Sequence, residues 1–105
     1  DDLFYFELPP LLYSIEGIVR DEKSMQLLPE TKIKLVGSDG SETETYTDGG
    51  GKYRFGNDAV KHNVIYKMYI SRLNYFSTEG SESTFGYTTN KDIVHDFRLA
   101  KSYFF

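Results

Sequence analysis

The sequence has no cysteine and no tryptophan, and only two histidines, two methionines and three prolines among its 105 residues. Without cysteine there is no thiol nucleophile, no disulfide framework and no Cys-ligated zinc, which leaves the redox compartment open. A surplus of basic charge is missing too: twelve Lys and Arg face sixteen Asp and Glu, for a net charge of -4. The electrostatic footprint of a nucleic-acid binder is therefore absent, and DNA and RNA are not expected partners. No apolar run approaches the ~18 to 20 residues that span a bilayer, and no basic n-region with a following apolar h-region opens the chain. The chain is expected to be soluble, without direct membrane insertion.

What is abundant is aromatic: nine Tyr and eight Phe within a hydrophobic fraction of 39%. Strand formers alternate with polar residues at period two, and Gly, Asp, Asn and Ser interrupt them about every eight to twelve residues, which is the pattern of an all-β sandwich. A first strand is expected at 13–20, with Ile15, Gly17 and Val19 inward and Ser14, Glu16 and Arg20 outward. A second at 31–37 turns Ile33 and Leu35 inward and Lys32 and Lys34 outward. A third at 42–47 alternates acid and Thr, as an edge strand would. Residues 52–55 place Tyr53 and Phe55 in the core, and 65–71 place Tyr66, Met68 and Ile70 there. The stretch up to Tyr87 reads as a twisted sixth strand or a long loop anchored by Phe85. The last strand, 92–100, aligns Ile93, His95, Phe97 and Leu99, and a short helix is allowed between Asn57 and His62.

Gly17 costs stability inside a strand and so marks a bulge or the close approach of another segment. Asp48-Gly49-Gly50-Gly51 fits a tight connection that needs positive φ. Both ends carry large apolar residues, Leu3, Phe4, Phe6 and Leu8 before Pro9-Pro10, and Tyr103, Phe104 and Phe105 at the other side. These are expected to pack on something, as in a module excised from a longer chain. Residues 1–12 are read as an extended linker, 13–100 as the sandwich and 101–105 as a second linker.

Three runs, Ile15-Glu16-Gly17-Ile18-Val19-Arg20-Asp21, Leu28-Pro29-Glu30-Thr31-Lys32-Ile33-Lys34-Leu35 and Thr47-Asp48-Gly49-Gly50-Gly51-Lys52-Tyr53-Arg54-Phe55, resemble the carboxypeptidase regulatory-like domain. The resemblance spans about residues 13 to 99. It implies a transthyretin-like, seven-stranded antiparallel β-sandwich. Tyr75 to Gly80 and Asp96 to Leu99 look like the variant found inside OmpA-like multidomain envelope proteins of Bacteroidetes-type bacteria. Thr31 departs from the usual Ala, and Asn74 from a common Gly at a left-handed turn. The resemblance covers only the appended domain of the peptidases and not their zinc-dependent catalytic part. It implies a periplasmic, outer-membrane-associated setting, with neighbouring domains and other envelope proteins as partners.

Candidate chemistry is thin. His62 and His95 have no i, i+2 or i, i+4 partner, and the expected role of His95 is that of a core or sheet-rim histidine with one hydrogen bond, that of His62 a loop residue; no metal ligand is assigned. The acids at Asp21-Glu22, Asp39 to Glu44 and Asp48 lack calcium-loop spacing and read as solvated turns. No G-x-S-x-G elbow accompanies the serines, so no catalytic residue is assigned and no cofactor is expected. Related pilin-type sandwiches carry a Lys to Asn crosslink, for which Lys32, Lys34 and Asn90 are the components here, but both lysines have outward parity. Tyr46 and Tyr69 are the candidate binding residues, able to form a sugar- or protein-contacting patch, although cross-strand aromatic pairing is the commoner role. The expectation is a non-catalytic spacer or docking module, with carbohydrate or peptide binding through a sheet face or edge as the alternative.

Overall fold

In the computed structural model, which describes residues 12–87 and 89–102, alternation in sequence becomes alternation in burial. Strand β1 (Tyr13–Asp21) buries Tyr13, Ile15 and Val19 while Glu16, Ile18 and Arg20 are partly open to solvent. β2 (Lys32–Gly37) buries Ile33 and Leu35, β4 (Lys52–Phe55) buries Tyr53 and Phe55, and β5 (Ile65–Ser71) buries Tyr66, Met68 and Ile70. β3 (Glu42–Tyr46) has no fully buried residue, as befits the edge it occupies. β6 (Thr78–Ser83), β7 (Lys91–Val94) and β8 (Phe97–Leu99) complete the set.

Two four-stranded sheets face each other. One runs β3-β2-β5-β6 and is antiparallel throughout. In the other, β1 lies between β4, which it meets antiparallel, and the pair β7 and β8, which follow one another along its opposite edge. Sixteen of the described hydrophobic residues are buried in the core cluster, among them Ile15, Ile33, Tyr53, Met68 and Phe97. Each such side chain contributes roughly 1.5 to 3 kcal/mol on leaving water.

The all-β sandwich is as expected, with three corrections of detail. The strand expected over 92–100 is broken at His95-Asp96, so the described residues form eight strands and not seven. The arrangement is not wholly antiparallel, because β7 and β8 run parallel to β1. The cause is the crossover from β6: Ser83 ends β6 beside Ile65, at the pole where β1 begins, and the chain re-enters from there. Residues 78–83 form a regular strand, and its following anchor is Thr84, fully buried, while Phe85 is exposed. The segment after Asn57 is a turn, with Ala59 and Val60 both donating to the Gly56 carbonyl.

Because β1 and β8 run in the same direction, Leu12 and Ser102 lie at opposite poles of the sandwich. Asn74 adopts φ 71°, the left-handed turn foreseen for it, and Gly51 adopts φ 72°. Beyond β8, Phe76 donates to the Ala100 carbonyl and Ser102 to that of Asn74. The apolar segments of the two ends, from Leu3 to Leu8 and Tyr103 to Phe105, with Pro9-Pro10, lie outside the described residues.

Candidate functional site

The outer face of the β3-β2-β5-β6 sheet carries both tyrosines singled out in the sequence. Register places Tyr46 opposite Lys32, and Tyr69 opposite Lys34 on one side and Glu79 on the other. The two rings share a face and are exposed by 56% and 40%. Lys32 and Lys34 stand between them, and among the described residues no ring contact joins them, so cross-strand aromatic pairing is not what holds them. The lysines bind acids of the edge strand, Lys32 to Glu44 at 3.4 Å and Lys34 to Glu42 at 3.3 Å. Exposed pairs of this kind contribute about 0.2 to 1 kcal/mol. Tyr69 also borders a shallow hollow of about 400 Å³ with Ser71, Ser77 and Glu79, and Tyr46 lies outside it.

The opposite sheet holds a wider hollow, about 570 Å³, floored by Gly17 and Tyr53 and walled by Glu16, Lys52, Arg54 and Asp96. Arg54 pairs with Glu16 at 3.2 Å. Gly17 is the sequence signal for this place, and the structure supplies its reason: a β-carbon there would stand 2.0 Å from the carbonyl oxygen of His95 and 2.9 Å from the Tyr53 ring. Of the bulge and the close approach that Gly17 foretold, the close approach is what the fold contains. Tyr53 donates its hydroxyl hydrogen to that same His95 carbonyl. Burial, followed by the negative charges of Asp96, Glu82 and Glu16, pushes its pKa far above the usual phenol value, so the hydroxyl is a fixed donor and not a base.

The two histidines have different partners. His95 Nδ1 lies 2.7 Å from Glu82 Oε2, and its ring stacks on Phe97 with centroids 4.4 Å apart. Gly80 makes room for both rings, since a β-carbon there would meet them at 2.9 to 3.0 Å. His62, in the loop before β5, places Nδ1 2.8 Å from the Tyr13 hydroxyl. Among the described residues no group of three or more His, Asp or Glu is placed to share a metal ion.

Of the acids flagged in the sequence, Glu42 and Glu44 pair with lysines across the sheet, and Asp21, Asp39 and Asp48 accept backbone N–H bonds within their own turns. Asp21 accepts from the backbone N–H groups of Lys23 and Ser24, and from the Tyr75 hydroxyl at 2.8 Å. Led by the Ser24 N–H and then by Tyr75 and Lys23, these bonds hold its carboxyl at about 2. Asp39 is lowered by Ser41, and Asp48 by the N–H groups of Lys52 and Gly50. Lys32 and Asn90, the components of a conceivable crosslink, are not brought together: Lys32 opens β2 on one sheet, while Asn90 precedes β7 on the other and accepts from the Leu12 N–H at 2.9 Å.

No family model and no curated protein matches the sequence. Solved structures do resemble its fold. The pilus 2b backbone protein of group B streptococcus superposes with a TM-score of 0.67 at 13% identity, over 85% of this chain and 41% of that one. The shaft pilin SpaA of Lactobacillus rhamnosus GG gives 0.60 at 13%, over 88% and 48%. Catechol 1,2-dioxygenase from Pseudomonas arvilla C-1 gives 0.66 at 12%, over 89% and 53%. The chain thus spans about half or less of each. At such identities the likeness establishes the transthyretin-type sandwich fold alone, a fold that enzymes and structural proteins share.

Proposed function

We propose that this chain is a non-catalytic module of a larger cell-envelope protein, of the carboxypeptidase regulatory-like kind, serving as a rigid in-line spacer and docking unit. One observation carries the proposal: entry at Leu12 and exit at Ser102 occur at opposite poles, so a sandwich set into a longer chain adds its full length to that chain. The pilus backbone and shaft proteins among the structural neighbours are structural proteins by name and fit the same use. The resemblance of the runs Tyr75 to Gly80 and Asp96 to Leu99 to the variant found in OmpA-like envelope proteins favours a periplasmic setting at the outer membrane or peptidoglycan, within a secretion-associated or peptidoglycan-anchored complex. Neighbouring domains and other envelope proteins are the partners this assigns.

Spin labels on Leu12→Cys and Ser102→Cys test the spacer, since the chain has no native cysteine to interfere. Leu12 lies level with position 90, so the twelve steps along the seam to Ser102 at ~3.3 Å each predict a narrow distance distribution centred near 40 Å. A broad distribution, or one centred below half that value, overturns the proposal.

A second function is favoured by the shared face of Tyr46 and Tyr69: binding of a carbohydrate or a peptide there. Saturable binding on a glycan array or peptide panel, lost in Tyr46→Ala and Tyr69→Ala, would select it over a pure spacer.

A further inference from the structure

The seam between β1 and the C-terminal strands is continuous although the C-terminal strand is not. Tyr13 pairs with Lys91 and Ile15 with Ile93 before the break, Val19 with Phe97 and Asp21 with Leu99 after it, at one constant offset of 78 residues. An undistorted parallel ladder would have the Ile18 N–H donate to the His95 carbonyl. That carbonyl instead accepts from Tyr53, and the Asp96 carboxylate takes its place, with Ile18 N to Asp96 Oδ1 at 2.9 Å. Main-chain bonds flank the substitution: Lys91 N to Leu12 O at 3.1 Å, His95 N to Glu16 O at 2.8 Å and Glu22 N to Leu99 O at 2.9 Å. A side-chain bond, Ser14 Oγ to Asp92 Oδ1 at 2.6 Å, reinforces it. Water is kept from its inner side by Ile15, Val19, Ile93, Phe97 and Leu99, none more than 6% exposed.

Tension between Leu12 and Ser102 draws β1 out through one pole and β8 out through the other. Because the strands are parallel, the force runs along the seam and loads its hydrogen bonds together. Pulling open a hairpin would load them one after another. We propose that the module bears mechanical load, with β1 against β7 and β8 as a shear clamp and Asp96 as the element that keeps the clamp unbroken at the chain's kink. The clamp rests on the in-line placement proposed above. Resistance to force is a matter of unfolding rate and so is separable from equilibrium stability.

Single-molecule pulling decides it, with cysteine handles at residues 12 and 102 in one preparation and at 32 and 46, the open end of the β2–β3 hairpin, in another. Simultaneous failure of bonds that each contribute about 1 kcal/mol predicts a rupture force about twofold or more higher for the first geometry at equal loading rate. Asp96→Ala lowers the 12–102 force and leaves the 32–46 force unchanged, whereas Asp96→Asn, which keeps an acceptor oxygen, retains the higher force. Equal forces in the two geometries, or an Asp96→Ala loss equal in both, overturn the clamp. If the label distance stays near 40 Å while the forces are equal, the clamp falls and the spacer stands.

Discussion

The hydroxyl of Tyr53 is bonded to the main-chain carbonyl of His95 directly above Gly17. A buried phenol on β4 thereby reaches across β1 and takes a carbonyl that the ladder would otherwise use. Three residue types follow from that one contact. Position 17 tolerates no β-carbon, position 53 needs an aromatic ring with a donor at its tip, and position 96 needs an acceptor for the displaced Ile18 N–H.

Gly17→Ala is accordingly predicted to be among the most damaging single substitutions in the chain. The new methyl group would press on backbone from one side and on the Tyr53 ring from the other, and neither is the free end of a flexible side chain. A loss of about 3 kcal/mol is expected in urea unfolding. Tyr53→Phe keeps the packing and removes the donor, for a loss of about 1 to 3 kcal/mol. A Gly17→Ala protein as stable as the parent would show that the two strands can separate at no cost.

Two buried threonines differ in what depends on them. Thr47 Oγ1 donates to the Leu28 carbonyl at 2.6 Å and accepts from the Thr31 N–H at 2.9 Å, whereas Thr31 Oγ1 only adds a second, 3.1 Å bond to the same carbonyl. Thr47→Val strands a buried N–H and is predicted to cost about 1 to 3 kcal/mol, while Thr31→Ala costs about 1 kcal/mol or less. Urea midpoints of the two variants check the order, and reversal would refute it.

Asp21 gives the chain a defined acid sensitivity. Its folded pKa, about 2, lies below the model-compound value of 3.8, so its contribution to stability is complete above the latter and disappears as pH falls through the former. Asp39 and Asp48 are shifted in the same direction and add to the same slope. Asp21→Asn retains an acceptor oxygen for Lys23 and Ser24 but not the charge. Its urea midpoint should lie below that of the parent at pH 7, with the gap closing between pH 4 and pH 2. A gap independent of pH would exclude the carboxylate as its source.

The sandwich was legible because burial in a two-layer β fold repeats with the same period as the side chains, and the inward sets around Ile33, Tyr53 and Met68 are unambiguous. Strand direction was not legible. Residues 92–100 keep one inward parity through the break, since the offset to β1 never changes, and parity is the same for a parallel and an antiparallel neighbour. The size of Phe85 suggests burial, but the anchor is Thr84, which donates to Lys61 O at 2.6 Å and accepts from Val64 N at 2.9 Å. The hollow over Gly17 had a single sequence signal, the glycine itself, and nothing local foretold that Tyr53, His95 and Asp96 would converge on it.

Tyr46 and Tyr69 lie on the solvent face with neither ring in the core, so their removal should leave the fold as it is. The double variant Tyr46→Ala, Tyr69→Ala is predicted to unfold within about 0.5 kcal/mol of the parent in urea. The margin is small because Lys32 and Lys34 have partners of their own in Glu44 and Glu42 and do not rely on either ring. A larger loss would mean that the rings hold β2 between β3 and β5, a structural use of the face that competes with recognition. Unchanged stability leaves the aromatic area free for a ligand, and a difference in glycan or peptide binding between parent and double variant then reports on the surface alone.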